Sequence, residues 1–319
     1  MMKNTMVYSI VVTYNGMQWI ARCLDSLLAS NFKTRIVVID NNSKDDTAAF
    51  IKENYSTVQL IETRKNLGFG QGNNIGLNIA LKNNATNVFL LNQDAYVETN
   101  TIGELVKEQQ KNTQYGILSP IHLNGRGTEM DGYFYQYLIK SGIKPLIDFV
   151  LRNKNIETLI IDTPFVNAAA WLISADCLKN TGGFDPIFFH YGEDGHYINR
   201  AIFKGFKIGI LGSVNIFHDR ERIPVALAKR SYASIKNEWV LFLNQACNIQ
   251  QQNYKGLMLR RFIRHSILGI ANVFTLKKES ATFNLLMAKK IISSFASISK
   301  SRNISITQNT PHLNLGKDV

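Results

Sequence analysis

Residues 35–43 read Arg-Ile-Val-Val-Ile-Asp-Asn-Asn-Ser, an apolar, β-branched run that ends abruptly in polar residues. Such a run is the pattern of a strand buried on both faces, and the polar stop is a turn. Working outward, Val7–Thr13 has the same character, and Trp19–Leu28 between the two places apolar residues at helical spacing. Beyond Ser43, a plausible N-cap, the spacing predicts a helix over Lys44–Glu53. A third short strand over Val58–Glu62, a helix over Gly70–Leu81 and a fourth strand over Asn87–Leu91 complete the first hundred residues. Strands alternating with helices predict an α/β fold, with a mainly parallel sheet flanked by helices. In such sheets ligands bind beyond the carboxyl ends of the strands.

The segments at those ends are Thr13-Tyr14-Asn15, Asp40-Asn41-Asn42-Ser43, Asn66-Leu67-Gly68-Phe69-Gly70 and Asn92-Gln93-Asp94. Any one of them can be an ordinary turn, but four polar or glycine-rich ends at one sheet edge point to a shared site. Residues 115–165 are less regular, with aromatics at Tyr133, Phe134, Tyr135 and Tyr137. Asn167–Ser174 reads as another buried strand, and Gly182 to Asp194 is the densest polar and aromatic segment. A helix to about Lys204, a strand over Lys207–Leu211 and another ending at His218 follow. From Pro224 the pattern is helical, with basic amphipathic stretches at Met258–Phe274 and Thr282–Ser299.

The chain of 319 residues carries a formal net charge of +12, unevenly spread. Residues 1–222 hold 22 basic and 21 acidic side chains, residues 223–319 hold 14 and 3. That division gives the expected domains, a nearly neutral body over 1–222 and a basic helical region over 223–319. In the latter, Arg260, Arg261, Arg264, Lys289 and Lys290 alternate with apolar residues at helical spacing, rather than with the aromatics of a nucleic-acid binder. This pattern suits an anionic membrane surface, or a cap packed on the body. Three cysteines without a CxxC pair exclude a disulfide framework or zinc pattern and point to a reducing, cytosolic setting. The opening residues are expected to form a strand rather than a signal peptide, and no stretch has the length of a spanning helix.

Gly68, Gly70, Gly72 and Gly76 do not fit GxGxxG, and there is no GxxxxGK[ST] motif. Close backbone approach to a ligand or to the next helix is left as their reason. Asp94, directly after a strand, can offer a carboxylate to a hard divalent cation that also holds a diphosphate. His218 ends the last strand, and an imidazole with a carboxylate suits Mn²⁺ or Mg²⁺. Glu193-Asp194 opens a helix whose dipole stabilises carboxylates, while the adjacent aromatic residues can desolvate one into a general base.

Taken together, Val-Thr-Tyr-Asn (12–15), Val-Ile-Asp-Asn-Asn-Ser (38–43), Asn-x-Gly-Phe-Gly (66–70), Asn-Asn-x-Gly (73–76), Leu-Asn-Gln-Asp (91–94), Gly-Gly-Phe-Asp (182–185) and Tyr-Gly-Glu-Asp (191–194) resemble family 2 glycosyltransferases. The resemblance covers roughly residues 6–220 and is nearest to bacterial rhamnosyl- or galactosyltransferases of cell-surface polysaccharide synthesis. It implies a GT-A fold and an inverting, Mn²⁺- or Mg²⁺-dependent transfer from a nucleotide-sugar, dTDP-rhamnose first and a UDP-hexose second. Thr13, Tyr14, Asn15, Asp40, Asn42, Asn66, Gly68, Asn74, Asn92, Gln93 and Asp94 are then expected at the nucleotide-sugar, with Asp40 on the pyrimidine. The resemblance makes Asp94 and His218 the metal contacts and Asp194 the general base, with Glu193, His196 and Trp171 on the acceptor side. Arg220 and Arg222 follow His218 and can neutralise the leaving group, or be solvated at the strand end.

Two positions depart from the family pattern. Asn92 stands where the first Asp of the DxD motif is usual, and His196 where an Asp often follows Glu-Asp. The acceptor is expected to be a hydroxyl of a growing, lipid-linked surface glycan. The place of work is expected to be cytoplasmic, on the inner face of the plasma membrane. The competing reading is a catalytically silent nucleotide-sugar or glycan-binding module.

Overall fold

A computed structural model describes residues 5–140, 160–220, 232–307 and 309–313. In chain order the elements are β1 (Val7–Thr13), α1 (Ile20–Leu28), β2 (Arg35–Asp40), α2 (Thr47–Asn54), β3 (Gln59–Glu62), α3 (Gly68–Lys82), β4 (Asn87–Asn92), β5 (Ala95–Val97) and α4 (Thr101–Lys111). There follow β6 (Tyr115–Asn124), α5 (Gly132–Lys140), β7 (Ile160–Asp162), β8 (Ala170–Ser174), α6 (Ala175–Thr181), α7 (Glu193–Phe203) and β9 (Lys207–His218). The C-terminal helices are α8 (Tyr232–Cys247), α9 (Tyr254–Phe274), α10 (Lys278–Ser293) and α11 (Phe295–Thr307). The boundary expected at 222/223, and Arg222 with it, lie outside the described residues.

The strands form one sheet in the order β3-β2-β1-β4-β8-β6-β9-β5, with β7 on β9. The β3-β2-β1-β4 half is parallel, as its continuous apolar strands require. The other half is mixed: β8 runs antiparallel between β4 and β6, and β5 and β7 are antiparallel to β9. Strand alternation divides the core. Val7, Val11, Ile36, Val38, Phe89 and Leu91 face α1, α2 and α4; Tyr8, Ile10, Val37, Ile39, Val88 and Leu90 face α3, α6 and α7. Gly76 is what lets α3 sit against β1, since a Cβ there would lie 2.6 Å from Ile10 Cγ2.

Two sequence expectations change. The helix expected from Lys44 starts at Thr47, because the residues before it hold the loop after β1 instead. Ser43 Oγ accepts from Asn15 N (2.9 Å), Lys44 N donates to Asn15 Oδ1 (2.8 Å) and Thr47 Oγ1 accepts from Gly16 N (2.9 Å). Ser43 is therefore not a helix cap. The two strands expected over 207–218 are a single strand whose pairing with β6 is interrupted between Pro120 and Ile121.

The basic helices pack on the body. Phe242, Leu243, Ala246, Met258, Ile291 and Ile298 build a third core around Phe188 of the β8–β9 connection. Beyond α11 the chain returns to the body, where Gly183 N donates to Pro311 O (2.8 Å) and Thr310 N to Lys179 O (3.2 Å). No helix among the described residues is long and apolar enough to cross a membrane.

Candidate active site

Parallel register sets the floor of the site. Thr13 lies beside Asp40 and Val12 beside Asn92, so the carboxyl ends of β1, β2 and β4 share one edge. Above that edge is a cleft of about 380 Å³, lined by Tyr14, Trp19, Asn41, Asn66, Gly68, Phe69, Asn92, Gln93, Asp94, Phe189 and His190 among others. Six of the residues expected at the nucleotide-sugar, Tyr14, Asn66, Gly68, Asn92, Gln93 and Asp94, line it directly.

The loops are tied to each other by side chains. Gln93 Oε1 accepts from Thr13 Oγ1 (2.7 Å) and Tyr14 N (2.8 Å), which joins the ends of β1 and β4. Asn41, which sequence reasoning passed over between Asp40 and Asn42, donates from Nδ2 to Asn66 Oδ1 (3.1 Å) and Gly68 O (3.2 Å). Its Oδ1 accepts from Leu67 N at 2.8 Å, so a single amide sets the loop into α3. Its place at the end of a buried strand was the available signal. Gly68 holds a positive φ of 79° with Phe189 O packed against it, leaving no room for a side chain. Asn15 (φ 49°) and Asn42 (φ 65°) occupy the left-handed region that asparagine tolerates.

Two buried acceptors in this edge lack partners. Asp40 receives Ser43 N on Oδ2 (3.0 Å), but its Oδ1 is buried and unbonded. Asn92 Oδ1 is likewise buried with no hydrogen bond. Such atoms are costly unless a ligand supplies a donor or a cation.

At the other end of the cleft, antiparallel pairing of Ala95 with His218 brings Asp94 Oδ1 to 3.2 Å from His218 Nε2. Arg220 Nε sits 3.1 Å from both ring nitrogens and 3.6 Å from Asp131 Oδ2. Burial pushes the Asp94 carboxyl up, but the hydrogen bond and charge of His218, with Arg220, outweigh it and hold it below the ordinary value. Asp131, buried and unmarked by any motif, caps α5 through Tyr133 N (3.1 Å) and Phe134 N (2.9 Å).

Among the described residues no three His, Cys, Asp or Glu side chains cluster as a metal site. The smaller donor set nonetheless suits a hard divalent cation: the Asp94 carboxylate, the unbonded Asn92 amide oxygen on the same cleft and the His218 imidazole beside Asp94. Mg²⁺ characteristically takes one or two protein carboxylates and completes its shell with substrate phosphates and water.

Asp194 stands in the first turn of α7, after Gly192 in the left-handed conformation at φ 92°. Desolvation raises its carboxyl above the ordinary value, although Gly195 N donates to Oδ1 at 2.7 Å and Arg220 is near. Beside it, burial and then the Asp194 charge push Glu193 up to about 7, and Glu193 Oε2 has no partner.

Three expectations are corrected. Asn74 does not face the nucleotide: it is buried, its Oδ1 accepts from Phe184 N (2.7 Å) and its Nδ2 donates to Phe184 O (2.8 Å) and His312 O (3.3 Å). His196 and Trp171 do not reach the acceptor side, being fully buried. His196 stands on the inner face of α7 against Phe188, where burial lowers it to about 3 and keeps it neutral. Trp171 on β8 packs on Phe184 and Tyr197 in the sheet core. In each case the side of the helix or strand that faces the interior decides.

The family model described as glycosyl transferase family 2 matches residues 9–172. Among curated proteins, "Glycosyltransferase GlyA" of Streptococcus pneumoniae serotype 4 is 24% identical over 61% of this chain and 27% of its own length. "Uncharacterized glycosyltransferase YaiP" of Escherichia coli K12 is 24% identical over 57% of this chain and 45% of its own. This chain thus spans less than half the length of either relative. Among solved structures, S. aureus TarS 1-349 in complex with UDP-GlcNAc superposes with a TM-score of 0.54 at 16% identity, covering 92% of each chain. TarS 1-349 in complex with UDP does so with 0.52 at 15%, also over 92% of each. The fold is that of the GT-A enzymes, and a family match over more than half the residues decides the rest: the chain belongs to glycosyl transferase family 2.

Proposed function

We propose that the protein is an inverting glycosyltransferase that moves a sugar from a pyrimidine nucleoside-diphosphate sugar to a hydroxyl of a lipid-linked surface glycan. One observation carries the reading. The cleft at the strand ends offers an unpartnered acceptor at Asn92, with a second, Asp40, buried in the same strand edge, and a part-buried Asp94–His218 contact. A desolvated carboxylate at Asp194 stands near Arg220, beside that contact.

Asp40 Oδ1 accepts the ring N–H of the pyrimidine, the donor that atom lacks. The TarS structures hold UDP and UDP-GlcNAc, which favours a uridine nucleotide; dTDP-rhamnose presents the same ring N–H. Asn66 and Gly68 shape the donor wall, and Gln93 keeps the loops bearing Tyr14 and Asp94 in register. A bound Mn²⁺ or Mg²⁺ at Asp94, Asn92 and His218 would offset diphosphate charge. Arg220 adds a fixed cation on that side, where charge develops on the leaving group. Asp194 takes the proton from the acceptor hydroxyl, which attacks the anomeric carbon opposite the leaving nucleotide. Glu193, Phe189 and His190 form the adjoining wall. The reaction takes place at the inner face of the plasma membrane, with the enzyme held peripherally on anionic lipid.

The test is turnover of a panel of dTDP- and UDP-sugars with Mn²⁺, for the wild type and for Asp194→Asn. A sugar released by the wild type and lost in the variant supports the reading; equal rates, or no turnover of any donor, would overturn it in favour of a binding module.

A further inference from the structure

Helix α9 carries two apolar stripes. One, with Met258, His265 and Gly269 buried, packs on the rest of the helical region: His265 Nδ1 lies 2.8 Å from Asn284 Oδ1, and Gly269 receives Leu285 of α10. The other consists of Leu259, Ile263, Ile267, Ile270 and Phe274, spaced by four, four, three and four residues and therefore on one helix face. No element among the described residues covers this face: its side chains are 45% to 81% exposed. A helix needs only one apolar stripe to pack, so the second calls for a partner beyond the described residues.

The turn from α9 to α10 gives an independent sign. Leu276 follows the C-cap Thr275 with φ 55°, a position that glycine or asparagine fills without strain. Leucine there is disfavoured sterically and is 82% exposed, so no packing against the described residues compensates it. The hairpin thus presents two apolar side chains at its tip, Phe274 and Leu276, followed directly by Lys277 and Lys278. Between Tyr254 and Ser293 there are eight basic residues and one acidic residue, Glu279. Arg260 and Arg264 follow Leu259 and Ile263 along one border of the bare stripe.

The geometry points to an anionic lipid surface as the partner of this hairpin: the stripe and tip enter the headgroup layer while Arg260, Arg264, Lys277 and Lys278 meet lipid phosphates. An interfacial helix has this division, an apolar face sunk about 5–10 Å and cations at its border. A second copy of the chain would bring like charges together. The docking unit is the outer face and tip of the α9–α10 hairpin, because Met258 of α9 and Ile291 of α10 pack inward with α8 and α11 on the core around Phe188, and residues 309–313 are bonded to the body. The inference refines the membrane placement in the proposed function, and its test is separable from turnover.

Full-length protein is floated with vesicles of phosphatidylcholine alone and with added phosphatidylglycerol, while nucleotide-sugar turnover is measured without vesicles. The wild type is expected to float only with the anionic vesicles. Ile263→Asp/Ile267→Asp/Phe274→Asp, and separately Arg260→Gln/Arg264→Gln, are expected to lower the bound fraction roughly tenfold or more. These positions are exposed, so melting temperature and soluble turnover stay at wild-type values. Wild type that ignores anionic vesicles, or a triple variant that floats like wild type, overturns the inference and leaves the proposed reaction standing. A dimer in sedimentation that the triple variant dissociates also overturns it and assigns the stripe to a second copy. Loss of turnover in wild type instead refutes the reaction and leaves the flotation result interpretable.

Discussion

Asp94 and His218, 124 residues apart in the chain, meet at 3.2 Å because Ala95 pairs with His218 across the β5–β9 ladder. The joint closes the mixed half of the sheet with an antiparallel edge strand, and it puts a carboxylate beside an imidazole at the cleft. Asp94→Asn keeps the shape and removes the charge. It is expected to lower turnover by about a hundredfold or more, with little change in melting temperature, as steady-state rates and thermal unfolding would show. An unaltered rate would remove Asp94 from the donor site.

Asp194 acts as a base only when ionised, and its raised pKa moves the acid limb of the kcat/KM profile above the ordinary aspartate range. Burial and then the Asp194 charge push Glu193 up to about 7, so Glu193 is still protonated where Asp194 ionises. Glu193→Gln is therefore expected to leave the acid limb of the profile in place. Asp194→Asn should abolish that limb together with about a hundredfold or more of the rate. A limb that moves to lower pH in Glu193→Gln would show that Glu193 is charged while Asp194 titrates.

Glu193 also bears on stability. Its folded pKa lies above the unfolded value near 4.5, so its burial is tolerated at low pH and loses stability as pH rises from there through about 7. Glu193→Gln keeps the neutral shape. It should match wild type near pH 4 and exceed it at pH 8 by on the order of 2 kcal/mol, read from denaturant unfolding at the two pH values. A constant difference across pH would contradict this.

The parallel half of the sheet was legible because β1, β2 and β4 are continuous apolar runs, and the polar residues after them mark one edge without further information. What was not legible depends on rotation and pairing. Nothing in Asn-Asn-x-Gly tells that Asn74 turns inward to Phe184, since the rotation of α3 follows from the contact of Gly76 with Ile10. His196 and Trp171 are set likewise by rotation: His196 stands on the inner face of the helix that Glu193 and Asp194 open, and the strand face that carries Trp171 turns into the core. The mixed half was hidden because β8 inserts between β4 and β6 from far along the chain. Asp131 lay in an irregular segment whose partners, His218 and Arg220, are almost ninety residues away.

The corrected place of Asn74 separates two variants that a motif treats alike. Asn74→Ala leaves Phe184 N and O without partners in a buried site and should cost about 1–3 kcal/mol of stability. Donor KM should stay unchanged below the melting range. Asp40→Asn should do the opposite, raising donor KM by about tenfold with a smaller loss of stability. If Asn74→Ala raised KM and kept stability, the amide would have to reach the cleft.

The last contact ties the C-terminal region to the body. Ser301 of α11 donates to Asp185 Oδ2, and His312 Nε2 lies 3.5 Å from the same oxygen. Asp185 is buried in the loop that runs on to Glu193 and Asp194, and burial alone would raise its pKa. His312 beside it and the hydrogen bonds from the Ser301 hydroxyl and Ile187 N outweigh that and hold its carboxyl below the ordinary value. Stability from this carboxylate is thus present above the unfolded aspartate pKa and lost as pH falls through the folded one. Ser301→Ala withdraws one hydrogen bond from a buried charge and should lower stability by about 1–3 kcal/mol at pH 7. The loss should shrink as the carboxyl protonates in acid. Removing residues 255–319 outright would leave Asp185 without Ser301 and His312 and uncover Phe188, so that truncation is expected to give insoluble protein. A soluble, active truncation would show that the helical region is dispensable to the catalytic body.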